Sequence, residues 1–275
     1  MTFHPRLGCS TISFRHLDLP AALETIAGLG FTEIDLGALP AVCDHVPYIL
    51  DEPAVAAVAK AAAESGLQVR SINGDVGDLN RPLSPQARVE RTRHLDMLLS
   101  LAEQTAAQAL VLPCGALDHE PVGTLDDDLD LVAAELTAAA VRAAGTGVEI
   151  WTESLHLFRL CFNTERAQQL TDRLVGSGVG LVMDFSHIVA SGGSPEDFIN
   201  RFHERIAHVH LRDAVPGDIN LSIGNGQADF AAGLKALADK GYTGHFSLEL
   251  ETRDVTNDQR PAAAARAAAA ITNLI

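Results

Sequence analysis

An alternation of two kinds of segment runs through the whole sequence and constrains the fold more than any other feature. Each unit has a short apolar run, a polar loop, an Ala/Leu-rich helical segment and a turn that often contains glycine. This succession is typical of α/β proteins, because consecutive parallel strands need a crossover between them. The apolar runs predict strands at Leu7–Ser10, Thr32–Leu36, Leu67–Ile72, Ala109–Leu112, Val148–Thr152, Val179–Met183, Ile206–Leu211 and His245–Leu250. The segments between them predict helices at Leu19–Leu29, Pro53–Ser65, Ser84–Ala107, Asp127–Ala144, Thr164–Val175, Ser194–Phe202, Phe230–Lys240 and Asn257–Asn273.

The number of these units favours a closed barrel. Eight strand–helix units in 275 residues match the usual size of a (β/α)8 TIM barrel. The runs are short and continuously apolar, as expected for strands that are covered on both faces. An open, doubly wound sheet is the alternative fold, but no Gly-rich phosphate loop follows the first predicted strand. No linker or change of composition divides the chain, so we expect one domain over residues 1–275.

Charge and composition argue against several classes of protein. The formal net charge is −16, from 20 Lys and Arg against 36 Asp and Glu. This charge opposes binding to nucleic acids and anionic membranes, where binding depends on neutralising phosphates. No apolar stretch is long enough to cross a bilayer, and the N-terminus has no signal-peptide core. Cys9, Cys43, Cys114 and Cys161 are widely spaced and predict buried free thiols, so we expect a cytoplasmic protein.

Two neighbouring strands end in groups that can hold a metal ion. Asp184 and His187 follow the sixth predicted strand, and His208 and His210 lie on one face of the seventh. Because parallel neighbours end at the same edge of a sheet, a carboxylate and two imidazoles would meet there. This combination is a set of metal ligands.

The strands on either side carry ionisable groups at the same end. Glu153 ends the fifth strand, with His156 three residues later, and the eighth strand carries Glu249 and Glu251. In a (β/α)8 barrel the carboxyl ends of the strands form the mouth where active sites lie. Four consecutive strands that end in a carboxylate or an imidazole therefore predict an active site at this mouth.

These motifs resemble those of a known family. The segments T-E-S, M-D-F-S-H, H-V-H-L-R-D and S-L-E-L-E, and G-N-G followed by D-F, resemble the xylose isomerase-like TIM barrels of the sugar isomerase/epimerase superfamily. The resemblance implies a divalent metal bound by Glu153, Asp184, His210 and Glu249, with Glu251 as the alternative to Glu249. Three carboxylates and one imidazole favour Mn²⁺, with Mg²⁺, Co²⁺ or Zn²⁺ as alternatives.

The resemblance also implies a reaction. A metal that chelates a carbonyl and its neighbouring hydroxyl stabilises an enediolate, and Glu153 and Glu249 would remove and return the α-proton. Isomerisation or epimerisation of a small sugar, keto-polyol or hydroxycarbonyl compound is the leading prediction. A lyase or dehydratase acting on a keto-inositol, dehydroshikimate-like or 3-keto glycoside substrate is the alternative. A non-catalytic ligand-binding barrel and an AP-endonuclease-type enzyme are less favoured, the latter because predicted strands three and four end without histidine.

Further residues are expected around the substrate. By their positions near the strand ends, we predict substrate contacts for Trp151, His156, Arg159, His187 and Arg212. Trp151 could instead pack in the barrel, and either arginine could instead be a surface cation. The expected partner is a small carbohydrate-like molecule, with no nucleic acid and no membrane. Because dimers and tetramers are common in the family, the resemblance also implies a homodimer or homotetramer.

Four other polar residues receive structural interpretations. His208 is expected to be a packed or outer-sphere histidine rather than a ligand. Asn73 and Asp75 are interpreted as turn residues. Cys114 is interpreted as a packing residue, because the sequence places no base beside it.

Overall fold

The computed structural model describes residues 2–48 and 50–275, so positions 1 and 49 of the predicted domain lie outside the described residues. Eight parallel strands form the predicted barrel: β1 (Leu7–Cys9), β2 (Glu33–Ala38), β3 (Gln68–Gly74), β4 (Ala109–Pro113), β5 (Glu149–Glu153), β6 (Gly180–Asp184), β7 (Ile206–Leu211) and β10 (His245–Leu248). Hydrogen-bonded neighbours follow the order β1-β10-β7-β6-β5-β4-β3-β2. The two ends of this order, β1 and β2, lie side by side and nearly close the barrel.

Helices surround the barrel and cover its apolar outer face. They are α1 (Leu19–Leu29), α2 (Glu52–Ser65), α3 (Pro85–Gln104), α4 (Leu125–Ala143), α5 (Thr164–Arg173), α6 (Phe185–Ala190), α7 (Pro195–Phe202), α8 (Phe230–Asp239) and α9 (Arg260–Thr272). Short polar side chains accept a backbone N–H at the start of most of these helices, and so fix where each begins. These caps are Asp18, Asp51, Ser84, Thr124, Asn163, Asp184, Ser194 and Asp229.

None of the helices in the described ranges is both long enough and apolar enough to span a membrane.

The structure differs from the sequence prediction in several places; the eighth barrel strand, for example, ends at Leu248 rather than Leu250. The third strand continues through Asn73 and Gly74, which were predicted to be a turn. The helix α6 follows Asp184 directly, and a two-stranded antiparallel ribbon, β8 (Asp213–Val215) with β9 (Asp218–Leu221), follows β7. These elements are too short for a periodic pattern to reveal them. Residues 224–228 form a loop.

Polar side chains fill the inside of the barrel in layers. Nearest the amino ends of the strands, Glu33 pairs with Arg70 and His245, at 2.8 Å in each case. The middle layer contains Asp35, which accepts a hydrogen bond from Ser71 (2.8 Å) and contacts Nε2 of His208 (2.8 Å). The layers below the mouth are therefore filled with packed side chains, and a cavity lies at the carboxyl ends of the strands.

Candidate metal centre and active site

Four side chains that are remote in the sequence meet at the mouth of the barrel. Glu153 ends β5, Asp184 ends β6, His210 lies on β7, and Glu249 follows β10. Each offers one ligand atom, and these atoms all lie within 4.8 Å of one another. The strand register produces this meeting, because Asp184 pairs with His210, and His210 pairs with the residue two before Glu249. All four residues are buried.

The donor atoms of this cluster suit a cation. Among the described residues, neither Oε1 of Glu153 nor Nδ1 of His210 has a hydrogen-bond partner, although both atoms are buried. Buried polar atoms normally have partners, so unpaired atoms that face one another indicate a ligand. The nearest carboxylate oxygen to Nδ1 of His210 belongs to Glu249, at 3.5 Å. The residues present therefore fit a divalent metal ion held by oxygen and nitrogen ligands.

The electrostatics of the cluster also indicate a bound cation. Burial, with the neighbouring carboxylates of Glu249 and Asp184, holds the pKa of Glu153 well above its usual value. Burial by itself would lower the pKa of His210, but Glu249, Asp35 and Glu153 raise it well above its usual value. Three carboxylates in one buried cluster repel one another, and a divalent cation would relieve that repulsion.

Only one oxygen of Asp184 is available to a metal. Asp184 caps α6: its Oδ1 accepts the backbone N–H and the hydroxyl of Ser186, both at 2.6 Å, and the N–H of His187 at 3.3 Å. Its Oδ2 lies 3.5 Å from a guanidinium nitrogen of Arg212. The short helix after β6, which sequence reasoning missed, thus fixes the orientation of this carboxylate.

Asp35 is a residue of the site that sequence reasoning missed. Its Oδ2 lies 2.8 Å from Nε2 of His208 and 3.4 Å from Nε2 of His210. Burial by itself would raise the pKa of Asp35, but His208 and His210 hold it well below its usual value. Asp35 thus lies close to Nε2 of His210 without a hydrogen bond to it, while Nδ1 of His210 lies on the side of Glu249. The sequence does contain a signal for this role, because Asp35 is a charged residue inside an otherwise apolar predicted strand. His208 lies behind His210, as expected.

The alternative ligand Glu251 is held elsewhere. Its carboxylate pairs with Arg15 at 2.5 Å and with Arg212 at 3.1 Å. Arg212 is 1% exposed and also contacts Asp184 (3.5 Å) and Glu249 (3.7 Å). The geometry therefore groups Glu249, and not Glu251, with the other three ligand atoms, while Arg212 connects the two carboxylates.

Two histidines form a pair beside Glu153. The rings of His156 and His187 lie 3.9 Å apart, and Nε2 of His187 is 3.4 Å from Oε1 of Glu153. Nδ1 of His187 accepts the N–H of Leu157 at 3.0 Å, so the ring hydrogen of a neutral His187 lies on Nε2. Burial and neighbouring positive groups hold the pKa of both histidines well below the usual value. Both line the cavity described below as neutral groups.

Arg159 and Asp75 are bound to each other, which excludes a surface position for Arg159 and adds an ion pair to the predicted turn role of Asp75. Arg159 is buried, not a surface cation: one guanidinium nitrogen lies 3.0 Å from Oδ2 of Asp75, and another donates to the carbonyl of Gly115 at 2.9 Å. Asp75 also accepts the N–H of Gly77 at 2.6 Å, so it has a turn role in addition to the ion pair. Both residues line the cavity.

Trp151 does not line the cavity, and the predicted substrate contact is wrong for this residue. It is 1% exposed, stacks on His208 with ring centroids 5.5 Å apart, and donates to Glu149 at 2.8 Å. Because strand side chains alternate, Trp151 shares the inner face with Glu153 but lies one layer deeper. It is part of the barrel packing beneath the site.

A cavity of about 420 Å³ opens above the cluster. Its volume is in the usual range for small-molecule sites. Two amide side chains that sequence reasoning did not assign to the site, Asn73 and Asn220, also line it. Asn73 donates to Oε1 of Glu249 at 3.4 Å, and Asn220 is on the unpredicted strand β9. The ionisable residues of the lining are Asp75, Glu153, His156, Arg159, His187, Arg212, Glu249, Glu251 and Arg253.

Comparison with known proteins places this chain in a family. A sequence model described as "Xylose isomerase-like TIM barrel" matches residues 23–274. The chain belongs to the xylose isomerase-like TIM barrel family. The resemblance inferred from the strand-end motifs is thereby confirmed, and the eight-stranded barrel agrees with it.

The individual proteins that resemble this chain share low sequence identity with it. An inosose dehydratase from Lacticaseibacillus casei is 26% identical over 172 residues, which cover 56% of this chain and 57% of the relative. A solved structure of the IolI protein with a bound zinc atom superposes with a TM-score of 0.80 at 18% identity, covering 98% of this chain and 99% of the other. D-psicose 3-epimerase from Clostridium cellulolyticum, solved with D-tagatose, has a TM-score of 0.80 at 16% identity, with coverage of 98% and 99%. These two structures agree with the fold.

Proposed function

We propose that this protein is a divalent-metal-dependent isomerase or epimerase that moves the α-proton of a small sugar, keto-polyol or related hydroxycarbonyl compound. The observation that carries the proposal is the meeting of Glu153, Asp184, His210 and Glu249 ligand atoms within 4.8 Å beneath a 420 Å³ cavity. The names of the epimerase and dehydratase relatives support the same class of substrate.

The metal and the protein have separate tasks in this proposal. When bound by Glu153, Asp184, His210 and Glu249, a divalent metal would polarise the substrate carbonyl and stabilise the charge left when the α-proton leaves. Glu153 and Glu249 come from β5 and from the residue after β10, with β7 and β6 between them, so they reach the cavity from different sides. One takes the proton and the other returns it.

The neutral histidines and the buried arginine bind the substrate. His187 presents its Nε2–H towards Oε1 of Glu153, where it can donate to a substrate oxygen held beside that carboxylate. Arg212 is fixed by Asp184, Glu249 and Glu251, so it has one orientation at the edge of the cluster. His156 and Arg159 complete the wall on the side of β5.

A dehydratase is the second candidate function. The inosose dehydratase relative supports it, and the same two carboxylates serve an elimination in which a β-hydroxyl leaves after the α-proton. A dehydratase converts a substrate without strong ultraviolet absorption into a conjugated product. An epimerase or isomerase returns a compound of the same mass.

The identity of the metal and the cellular setting are also proposals. An oxygen-rich set of three carboxylates and one imidazole supports Mn²⁺, with Mg²⁺, Co²⁺ or Zn²⁺ as alternatives, and the IolI neighbour carries zinc. The net charge of −16 supports a small-molecule partner rather than nucleic acid or a membrane surface. Four buried free cysteines support a cytoplasmic location. We propose a homodimer or homotetramer by analogy with the family.

Deuterium exchange tests the proposed chemistry. The protein loaded with Mn²⁺ is incubated in heavy water with scyllo-inosose or D-tagatose, and the α-proton signal is followed by NMR. We expect exchange by the loaded protein and its loss after chelation. We also expect Asp184→Ala to lose bound metal and at least ~1,000-fold in exchange rate, because one ligand of four is removed.

A charge-matched variant controls for this experiment. Asp254 binds Ser222 and Asn225 outside the cluster, so Asp254→Asn should keep metal and exchange. Circular dichroism checks that the barrel of Asp184→Ala is intact. Full exchange by a metal-free protein, or normal metal content in Asp184→Ala, would contradict the proposed site.

A further inference from the structure

We propose that the cavity selects an uncharged keto-polyol and discriminates against substrates that carry a carboxylate or a phosphate. This inference rests on the proposed function and concerns the same cavity. It follows from how the positive charges around the cavity are already paired. Three arginines line this space, Arg159, Arg212 and Arg253, and the two buried ones are neutralised by protein carboxylates.

Arg212 uses its whole guanidinium group within the protein. Its Nε donates to the hydroxyl of Ser186 at 3.1 Å, and one terminal nitrogen pairs with Glu251 at 3.1 Å. The other terminal nitrogen lies 3.5 Å from Asp184 and 3.7 Å from Glu249. A substrate anion would have to displace one of three carboxylates to reach this arginine.

Arg159 is paired at the other wall. Its guanidinium lies 3.0 Å from Asp75 and donates to the carbonyl of Gly115 at 2.9 Å. Asp75 is fixed in turn by the N–H of Gly77 at 2.6 Å, so the ion pair is built into the loop after β3. The positive charge of Arg159 and the negative charge of Asp75 therefore cancel, and among the described residues this pair adds no net charge to the cavity.

The third arginine is at the rim. Arg253 is exposed to solvent, where screening weakens its attraction for an anion. Asp75 and Glu251 line the same space, but each is already paired with an arginine, so neither pair attracts a substrate anion. The divalent metal of the proposed function would be balanced by the three carboxylates that hold it, so an anion desolvated in this cavity would find no free cation to compensate its charge.

The cavity offers hydrogen-bond partners to uncharged hydroxyl groups that it does not offer to an anion. The amides of Asn73 and Asn220 line the cavity and offer both donors and acceptors. Nε2 of His187 is a donor towards the cluster, and the oxygens of Glu251, which also lines the cavity, are acceptors. A polyol satisfies both kinds of group without breaking an ion pair.

Calorimetry on the Mn²⁺-loaded protein tests this selectivity with three probes: scyllo-inosose, 3-dehydroshikimate and its methyl ester. The acid and the ester share a ring and differ in charge. We expect scyllo-inosose to bind, and the ester to bind more tightly than the acid by about tenfold or more, because the acid brings an uncompensated charge. Equal or tighter binding of the acid would overturn the inference, as would the absence of binding by all three.

Variants test whether the ion pairs are the cause. Asp75→Asn releases Arg159 and should strengthen binding of the acid relative to that of the ester by on the order of 10-fold. If Asp75→Asn does not fold, Glu251→Gln is the second variant. It removes the carboxylate that pairs with Arg212, and binding of the acid and the ester is compared in the same way. Asp78→Asn is the matched control, because Asp78 pairs with Arg81 outside the cavity and the charge change is equal. Unchanged acid binding in both released variants would contradict the inference.

Deuterium exchange separates this inference from the proposed function. If the acid binds preferentially and exchanges its α-proton, the inference on charge fails and the proposed chemistry stands. If the uncharged probes bind preferentially but none exchanges, the selectivity stands and the proposed chemistry fails.

Discussion

At the scale of single residues, the site is defined by which atom of each side chain is already engaged. Asp184 has one oxygen committed to capping α6, His187 has Nδ1 committed to a backbone N–H, and His210 has Nε2 next to Asp35. The remaining atoms of Asp184 and His210 belong to the ligand cluster, and His187 lines the cavity above it. Residue type alone therefore does not give the ligand set, since Glu251 has the same chemistry as Glu249 but is held by two arginines.

A buried carboxylate outside the site makes a pH-dependent prediction. Asp128 accepts hydrogen bonds from Asn80 (2.6 Å), Val122 N–H (2.9 Å) and Gly123 N–H (3.1 Å), and these bonds hold its pKa below the usual value despite its burial. A carboxyl group whose pKa is lower in the folded state than in the unfolded state stabilises the folded protein. This contribution is complete at pH values above the unfolded-state pKa, and it is lost as the pH falls through the folded-state pKa. We expect Asp128→Asn to destabilise by about 2 kcal/mol at pH 7 and at pH 5.

Urea unfolding at pH 7, 5 and 3 measures this effect. The deficit of Asp128→Asn should shrink only below about pH 4, where the unfolded carboxyl takes up a proton. Asp172→Asn, at an exposed position on α5, serves as the control and should change the free energy of unfolding little at any of these pH values. A deficit that is constant down to pH 3 would show that the carboxylate charge is not the source.

At the scale of elements, the segment between β7 and α8 is organised by one buried carboxylate. Asp213, at the start of the ribbon β8–β9, accepts the N–H groups of Ala214 (2.8 Å), Gly224 (2.8 Å), Gly226 (2.9 Å) and Ala228 (3.0 Å). The backbone can approach this closely because Gly226 has no side chain. The ribbon that this loop supports carries Asn220 to the cavity.

A pair of glycine substitutions tests this account. A Cβ at Gly226 would lie 2.2 Å from Oδ1 of Asp213 and 2.4 Å from the carbonyl oxygen of Ala214, so Gly226→Ala must displace the anchored loop. We expect it to destabilise by roughly 2–3 kcal/mol. Gly28, in α1, has no atom within 4 Å of the corresponding position among the described residues. Gly28→Ala should therefore stabilise by roughly 0.5–1 kcal/mol, as is usual in helices.

Thermal unfolding distinguishes the two substitutions by the sign of the change in Tm. Gly226→Ala should also weaken binding of the uncharged probes, since Asn220 moves with the loop. A Gly226→Ala protein with the wild-type Tm would contradict the close packing at Asp213.

At the scale of the whole molecule, the barrel joins distant parts of the chain at one mouth. Glu153 and Glu249 are separated by nearly a hundred residues, yet both reach the same cluster because the carboxyl ends of parallel strands share one edge. The charges concentrated there weaken the empty barrel by repulsion. A cation that binds only this arrangement stabilises the folded state as a whole.

Metal binding should therefore raise the Tm. With Mn²⁺ at a hundred times its Kd, the folded state gains about 2.7 kcal/mol, which corresponds to several degrees for a chain of this size. Differential scanning calorimetry with and without Mn²⁺ measures the shift, and we expect one transition if residues 1–275 unfold as one domain. Asp184→Ala should show no shift. An equal shift in that variant would indicate metal binding elsewhere on this acidic surface.

The sequence by itself determined the class of fold and indicated the candidate ligands. Apolar runs alternating with helical segments depend on local periodicity, and the order of strand-end carboxylates and imidazoles is visible along the chain. The third strand, predicted to stop at Ile72, continues through Asn73 and Gly74, because its end is set by pairing with β2 rather than by its own residues.

Only the tertiary structure decided the contacts that cross the barrel. It placed Asp35 behind His210, directed Glu251 to two arginines, paired Arg159 with Asp75 and buried Trp151 below the cavity. These outcomes depend on which side chains face one another across strands that are far apart in sequence. Local pattern gives the face of a strand on which a side chain lies, but distances across a closed barrel arise only when all eight strands are in register.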